Sequence, residues 1–160
     1  MGSLINRELG GSRSEERAPD PRIAQVVEIV DGDTIRVRFV SGTVRTIRYI
    51  GIDAPPTPAT GAEPGCFGAA ATEANRRLVA GESVRLEFDK QRQDDAGQLL
   101  AYVYRARDQA FVNGRLLAGG YATVLTLPPN VRHVPTFLGL ARTARETGRG
   151  LWKACDTAAA

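Results

Sequence analysis

Two short segments gather the residues that could do chemistry. The first is Asp31, Gly32, Asp33 and Thr34; the second opens with Arg48 and ends in Asp53, Ala54, Pro55 and Pro56. Two carboxylates spaced i, i+2 around a glycine can converge on one hard cation, and Ca2+ accepts such oxygens alongside backbone carbonyls and water at loose geometry. An arginine beside them offers a planar fork that matches a phosphate. Asp-Gly-Asp alone is also the signature of a plain hairpin turn. The second segment turns the reading towards a metal-and-phosphate site.

The elements that must position these residues follow from periodicity. Alternating runs over 25–30 and 35–40 flank the Asp-Gly-Asp turn, with Ile35, Val37 and Phe39 on one face and Arg36 and Arg38 on the other. A third run, 44–52, ends at Asp53. Period-2 counting puts Arg48 and Asp53 on opposite faces, so their convergence needs a bulge or a strand end near Gly51. Beyond it the pattern predicts a helix over 67–79, strands over 84–88 and 99–105, and helices over 111–118 and 135–147. In the last helix Phe137, Leu140, Ala141 and Ala144 form a core-facing stripe, and Gly148 and Gly150 are stop signals. Strands followed by helices suit an α+β or small-barrel domain.

The chain resembles the staphylococcal nuclease family from about Ala24 to Cys155. The likeness rests on the Asp-Gly-Asp-Thr turn, the Arg48 to Pro55 segment, Cys66-Phe67-Gly68, Phe88-Asp89, Gly97 before the 99–104 run, Phe111-Val112-Asn113, Gly120-Tyr121-Ala122, Pro129-Asn130 and Gly150-Leu151-Trp152. It implies a five-stranded OB-type barrel with three helices and, in active members, Ca2+-dependent cleavage of DNA and RNA. Asp33 and Asp53 match the family's metal carboxylates, Asp31 the aspartate behind them, and Ala54 a ligand acting through its backbone carbonyl. Arg48 matches the first of two arginines that grip the scissile phosphate.

Other matches are lost. Pro56 stands where the family has the glutamate that orients the attacking water, and a proline offers no proton acceptor. Gln98 stands at the second arginine, and a neutral amide supplies neither the charge nor the fork. Asp95-Ala96 replaces a lysine-tyrosine pair, and Leu125 and Leu127 fall where tyrosines line the nucleotide pocket. The expectation is a nuclease fold whose hydrolysis is impaired or absent. Glu63, seven residues past Pro56 in a Pro- and Gly-rich loop, is the candidate substitute base; its alternative is a solvated loop glutamate. Glu73 is expected to face solvent or to pair with Arg76 or Arg77. Three classes stay open: a weak or inactive nucleic-acid-binding member, a working Ca2+-dependent nuclease, and a protein-interaction module.

The resemblance also implies a disulfide between Cys66 and Cys155, the alternative being two reduced thiols. A disulfide would place the protein outside the cytoplasm, as a secreted or cell-envelope protein. Residues 1–22 read as a disordered leader or vector remnant without a signal-peptide run, 23–155 as the domain and 156–160 as a flexible tail. No apolar run is long enough to span a membrane; the expected state is a monomer, and the expected partner is single-stranded DNA or RNA. Of the 21 basic residues all but Lys90 and Lys153 are arginine, yet the net charge is only +3, below the excess usual in a strong nucleic-acid binder. Arg36, Arg38, Arg45 and Arg48 could line one side of the barrel. The lone histidine, His133, is expected as a surface or capping residue, and Phe137 and Trp152 as core packing.

Overall fold

A computed structural model describes residues 20–58 and 64–155. The readings that fall on 1–19, on 156–160 and on Glu63 therefore lie outside the described residues. In chain order the elements are β1 (Ile23–Asp31), β2 (Thr34–Phe39), β3 (Val44–Tyr49), β4 (Ile52–Asp53), α1 (Gly68–Val79), β5 (Ser83–Glu87), β6 (Leu99–Arg105), α2 (Val112–Ala118), β7 (Thr123–Val124), α3 (Val134–Glu146) and α4 (Leu151–Ala154). Strands β1, β2, β3, β6 and β5 close into a barrel, in the expected five-stranded α+β arrangement. The three longer helices match the expected ones, and α4 adds a single turn.

All barrel neighbours are antiparallel except β3 and β6, whose parallel pairing sets Arg48 opposite Leu100. Alternation does its work on β2, where Ile35 and Val37 are fully buried while Arg36 and Arg38 face solvent. The core runs from these residues through Ile47, Leu86 and Val103 to Leu116, Leu117 and Phe137. Helix α1 covers β1, and α2 lies between β6 and α3.

The run 44–52 is not one strand. It breaks at Gly51, whose φ of +83° favours glycine and whose face lies so close to the Phe137 ring that a Cβ would collide with it. The chain then restarts as β4, which pairs with β7, with Asp53 opposite Thr123. This is the parity reset that Arg48 and Asp53 require.

Backbone groups at such irregular places need partners. Three buried asparagines provide them. Asn75 Nδ2 donates to the Asp31 carbonyl and its Oδ1 accepts the Tyr49 hydroxyl, both at 2.8 Å. Asn113 bridges the Ile50 carbonyl and the Val103 amide, and Asn130 does the same for both backbone groups of Gln91. None of the three was read as structural from sequence.

A disulfide joins Cys66 to Cys155 across 89 residues, tying the start of α1 to the end of α4. A crosslink closing so long a loop stabilises by roughly 2 to 4 kcal/mol. Phe137 belongs to the core, but Trp152 does not: it is half-buried beside β7 and α3, because α4 is too short to carry its indole under the barrel. His133 sits at the N-terminal boundary of α3, half-buried, its ring 4.4 Å from that of Tyr102 and its Nε2 2.8 Å from Glu87 Oε1. Glu73 pairs with Arg76 at 2.6 Å.

Glu87 and Asp89 form the ionic edge of this histidine cluster. Burial raises both carboxyls, but bonds from His133 and Arg132 to Glu87, and from Tyr102, Arg132 and Lys90 to Asp89, outweigh it and hold both below the ordinary range. A depressed carboxylate contributes stability that is complete above its unfolded pKa and lost as the pH falls. Arg132→Gln is therefore expected to lower the melting temperature by a few degrees at pH 7, with the gap closing by pH 3. Calorimetry across that range checks it; a gap constant with pH would show that Arg132 acts through packing.

Candidate active site

The Asp-Gly-Asp turn can sit where it does because its middle residue has no side chain. A Cβ on Gly32 would lie 2.7 Å from that of Ala54 and 2.8 Å from that of Ala71. The turn is thus pressed between the β4 segment and α1. The β1 and β2 register slips between Ile29 and Asp31, which brings Asp31 opposite Thr34 and under cover. Asp31 and Asp33 are both buried.

Asp33 is the centre of the site. Its Oδ1 accepts the Thr34 hydroxyl at 2.9 Å, and its Oδ2 accepts the Ala54 N–H at 2.7 Å and meets Arg48 Nη1 at 2.5 Å. The Asp33 N–H donates in turn to Asp31 Oδ1 at 3.0 Å. The other arm of Arg48, Nη2, reaches Asp53 Oδ1 at 3.2 Å. Arg48 Nη1 is fully buried and holds its ion pair without an aligned hydrogen bond. The Asp53 side chain is 56% exposed, which makes it the open end of the site.

The structure therefore brings Asp31, Asp33, Arg48, Asp53 and Ala54 together. The contact that Ala54 makes within the site is through its N–H. Negative charge is crowded here, with three carboxylates around one guanidinium. Burial first, and the charge on Asp33 second, raise the Asp31 carboxyl to about 6. Burial also pushes the Tyr49 phenol up, against the bond to Asn75. Hard oxygen donors in negative surplus are the chemistry that suits a cation such as Ca2+. Among the described residues no group of three metal-ligating side chains is gathered at one point. The protein would thus offer the Asp33 and Asp53 carboxylates and a backbone carbonyl, the remaining ligands being water and phosphate.

The two substituted positions are held by contacts of their own. Pro56 is exposed, and its carbonyl accepts the Gly65 N–H at 2.9 Å and lies against Gly68. Gln98 stands just ahead of β6, its N–H held by Asp94 Oδ1 at 2.8 Å. A cavity of about 180 Å³ opens beside Arg48, lined by Ile52, Asp94, Leu100, Leu125, Leu127 and other residues. Leu100, Leu125 and Leu127 give it apolar walls, and Tyr49 also lines it. Of the other arginines suggested for the barrel side, Arg36 pairs with Glu28 and Arg45 donates to the Gly97 carbonyl, while Arg38 is exposed and joins no ion pair among the described residues. Thr34, Tyr49 and Asn75 also shape the site, and only the adjacency of Thr34 to Asp33 could have signalled any of them.

Over residues 46–154 the chain matches the family described as staphylococcal nuclease homologue. The thermonuclease of Staphylococcus hyicus is 32% identical over 130 residues, covering 80% of this chain and 74% of that protein. The SPbeta prophage-derived endonuclease YokF of Bacillus subtilis is 39% identical over 127 residues, 77% of this chain but only 41% of its own length. Endonuclease YncB of the same organism is 36% identical over 127 residues, 77% of this chain and 58% of that protein. The chain thus spans about half the length of these two endonucleases. By the match across most of its length and by these relatives, the chain belongs to the staphylococcal nuclease family.

Proposed function

We propose that this domain engages nucleic-acid phosphodiesters, single-stranded DNA or RNA, through a Ca2+-type carboxylate site and hydrolyses them weakly or not at all. The observation that carries this reading is Arg48 held between Asp33 and Asp53 beside a proline at the position expected to orient water. Asp33, Asp53 and the Ala54 carbonyl would hold the cation, with Asp31 fixing the Asp33 backbone. When bound, the cation would offset charge developing on the phosphoryl oxygens. Arg48 would exchange its Asp53 contact for a phosphate oxygen. Pro56 cannot take a proton from water, and Gln98 cannot place a second positive charge on the phosphate. Losing one preorganised charged contact costs on the order of 3 kcal/mol, a hundredfold or more in rate. The disulfide supports an oxidising compartment and so a secreted or cell-envelope location. No helix among the described residues is long and apolar enough to cross a membrane.

A second reading, an active Ca2+-dependent endonuclease, has Glu63 as the substitute base. What favours it is the bond from the Gly65 N–H to the Pro56 carbonyl, which returns the chain to Pro56 two residues after Glu63. Cleavage of a quenched single-stranded DNA in millimolar Ca2+ separates the two. Turnover absent from Arg48→Ala and from Glu63→Gln would establish the second reading and overturn the first.

Two further outcomes are expected. Arg48→Met leaves Asp33 buried without its cation and should destabilise by roughly 2 to 3 kcal/mol in urea unfolding. Millimolar Ca2+ should raise the melting temperature of the parent protein and raise that of the variant more, by mass action on the site. No Ca2+ response in either would favour a protein-interaction module. The double change Pro56→Glu with Gln98→Arg should raise Ca2+-dependent cleavage at least tenfold, given about 3 kcal/mol for a restored contact. Cleavage still at background while Ca2+ binds would overturn the roles assigned to these two positions.

A further inference from the structure

A groove on the far side of β7 has no part in the site described above. It lies between β7, the second half of α3 and α4, with a volume of about 340 Å³. Leu138, Ala141, Arg142 and Arg145 line it from α3 at i, i+3, i+4 and i+7, which is one helix face. That face is turned away from Phe137, Leu140 and Ala144, and Ala141, expected in the same core stripe, lies half-buried on the groove instead because it sits at the stripe's edge on the helix. Val124 and Trp152 complete the wall.

Three features of the groove point to one kind of ligand. Arg142 and Arg145 join no ion pair among the described residues, as is also true of Arg38, Arg45, Arg77, Arg85, Arg92, Arg115 and Arg149, but these two line one groove together. Trp152 Nε1 is buried without a hydrogen-bond partner among the described residues, and the Arg145 guanidinium lies 5.9 Å from the centre of its ring. Apart from Thr123 the remaining wall is apolar. Free guanidinium charge beside an aromatic face and an apolar wall is how proteins hold a single strand, with phosphates on the arginines and a base on the flat surface.

The groove is also next to the candidate site. Thr123, which lines it, is the strand partner of Asp53, so one strand edge separates the open end of the phosphate site from the groove. We infer that the groove formed by Arg142, Arg145 and Trp152 is a second single-stranded nucleic-acid subsite, which takes the nucleotides next to the phosphate held at Arg48. This rests on the proposed function, since it assumes a strand at Arg48. Longer strands therefore bind more tightly than short ones, and the gain comes from α3 and α4 rather than from the barrel.

The chain has a single tryptophan, so its fluorescence reports on this groove alone. The test titrates the protein in Ca2+ with thymidine dinucleotide and octanucleotide, following both Trp152 emission and the anisotropy of a label on the DNA. The octanucleotide is expected to quench Trp152 and to bind at least tenfold more tightly than the dinucleotide. In Arg142→Gln with Arg145→Gln that advantage should disappear, and the slope of log affinity on log salt should fall by about 1 to 2. Trp152→Phe keeps the ring and loses the N–H, so it should weaken the octanucleotide without changing the salt slope. Octanucleotide binding that leaves Trp152 emission and the double variant's affinity unchanged overturns the inference and leaves the proposed function standing. No binding of either strand overturns both. Emission that changes with protein concentration rather than with DNA makes the groove a contact between copies, and the inference fails.

Discussion

The structure turns on one buried carboxylate, Asp33, and on how it is paired. A charge taken out of water is costly unless hydrogen bonds and a counter-charge meet it. Four parts of the chain supply these for Asp33: the Thr34 hydroxyl from β2, Arg48 from β3, the Ala54 N–H from just past β4, and the Asp31 side chain, which fixes the Asp33 backbone from β1. The same contacts that satisfy the charge therefore bind together the turn, the third strand and the small sheet that branches from the barrel. The proposed cation site and a folding constraint share the same atoms.

The barrel closes by a parallel pairing, β3 with β6, which a hairpin cannot make. The chain instead leaves β3, crosses by way of β4, α1 and β5, and returns as β6. The crossing leaves irregular backbone at Tyr49 to Gly51, beside the site. Asn75 and Asn113 hold that stretch, one through the Tyr49 hydroxyl and the other through the Ile50 carbonyl. Each is fully buried with both ends of its amide bonded, so it adds polarity to the interior without leaving a group unpaired.

Charge is distributed unevenly over the rest of the molecule. The modest net charge follows from 21 basic against 18 acidic residues, and among the described residues some arginines are tied to carboxylates while others are not. At the proposed phosphate site the charge comes from Arg48, itself held between two aspartates. The face of α3 and α4 is the opposite case, with arginines that no carboxylate offsets among the described residues. Nucleic-acid affinity depends on uncompensated charge rather than on the number of basic residues. In the proposed binding the helical side of the domain therefore bears on the strand as well as the barrel.

Much of this was legible in the residues by themselves. Alternation gave the buried face of β2, helical spacing gave the core stripe of α3, and motif order gave the barrel and the cysteine pair. The convergence of Arg48 on Asp53 was legible only as a requirement, and Gly51 meets it because its positive φ and its closeness to Phe137 exclude a side chain. Other features came only from tertiary structure. Nothing in the spacing of Asn75, Tyr49 and Asp31 shows that they meet, because Asn75 lies 26 residues from Tyr49 and 44 from Asp31. Trp152 was assigned to the core on residue type, but packing left it on a groove. Sequence by itself determines what is periodic or adjacent, since those properties depend only on local backbone geometry. Which distant polar groups meet, and which arginines are left without a partner, was decided by closure of the barrel, because burial and pairing are properties of the whole packed chain.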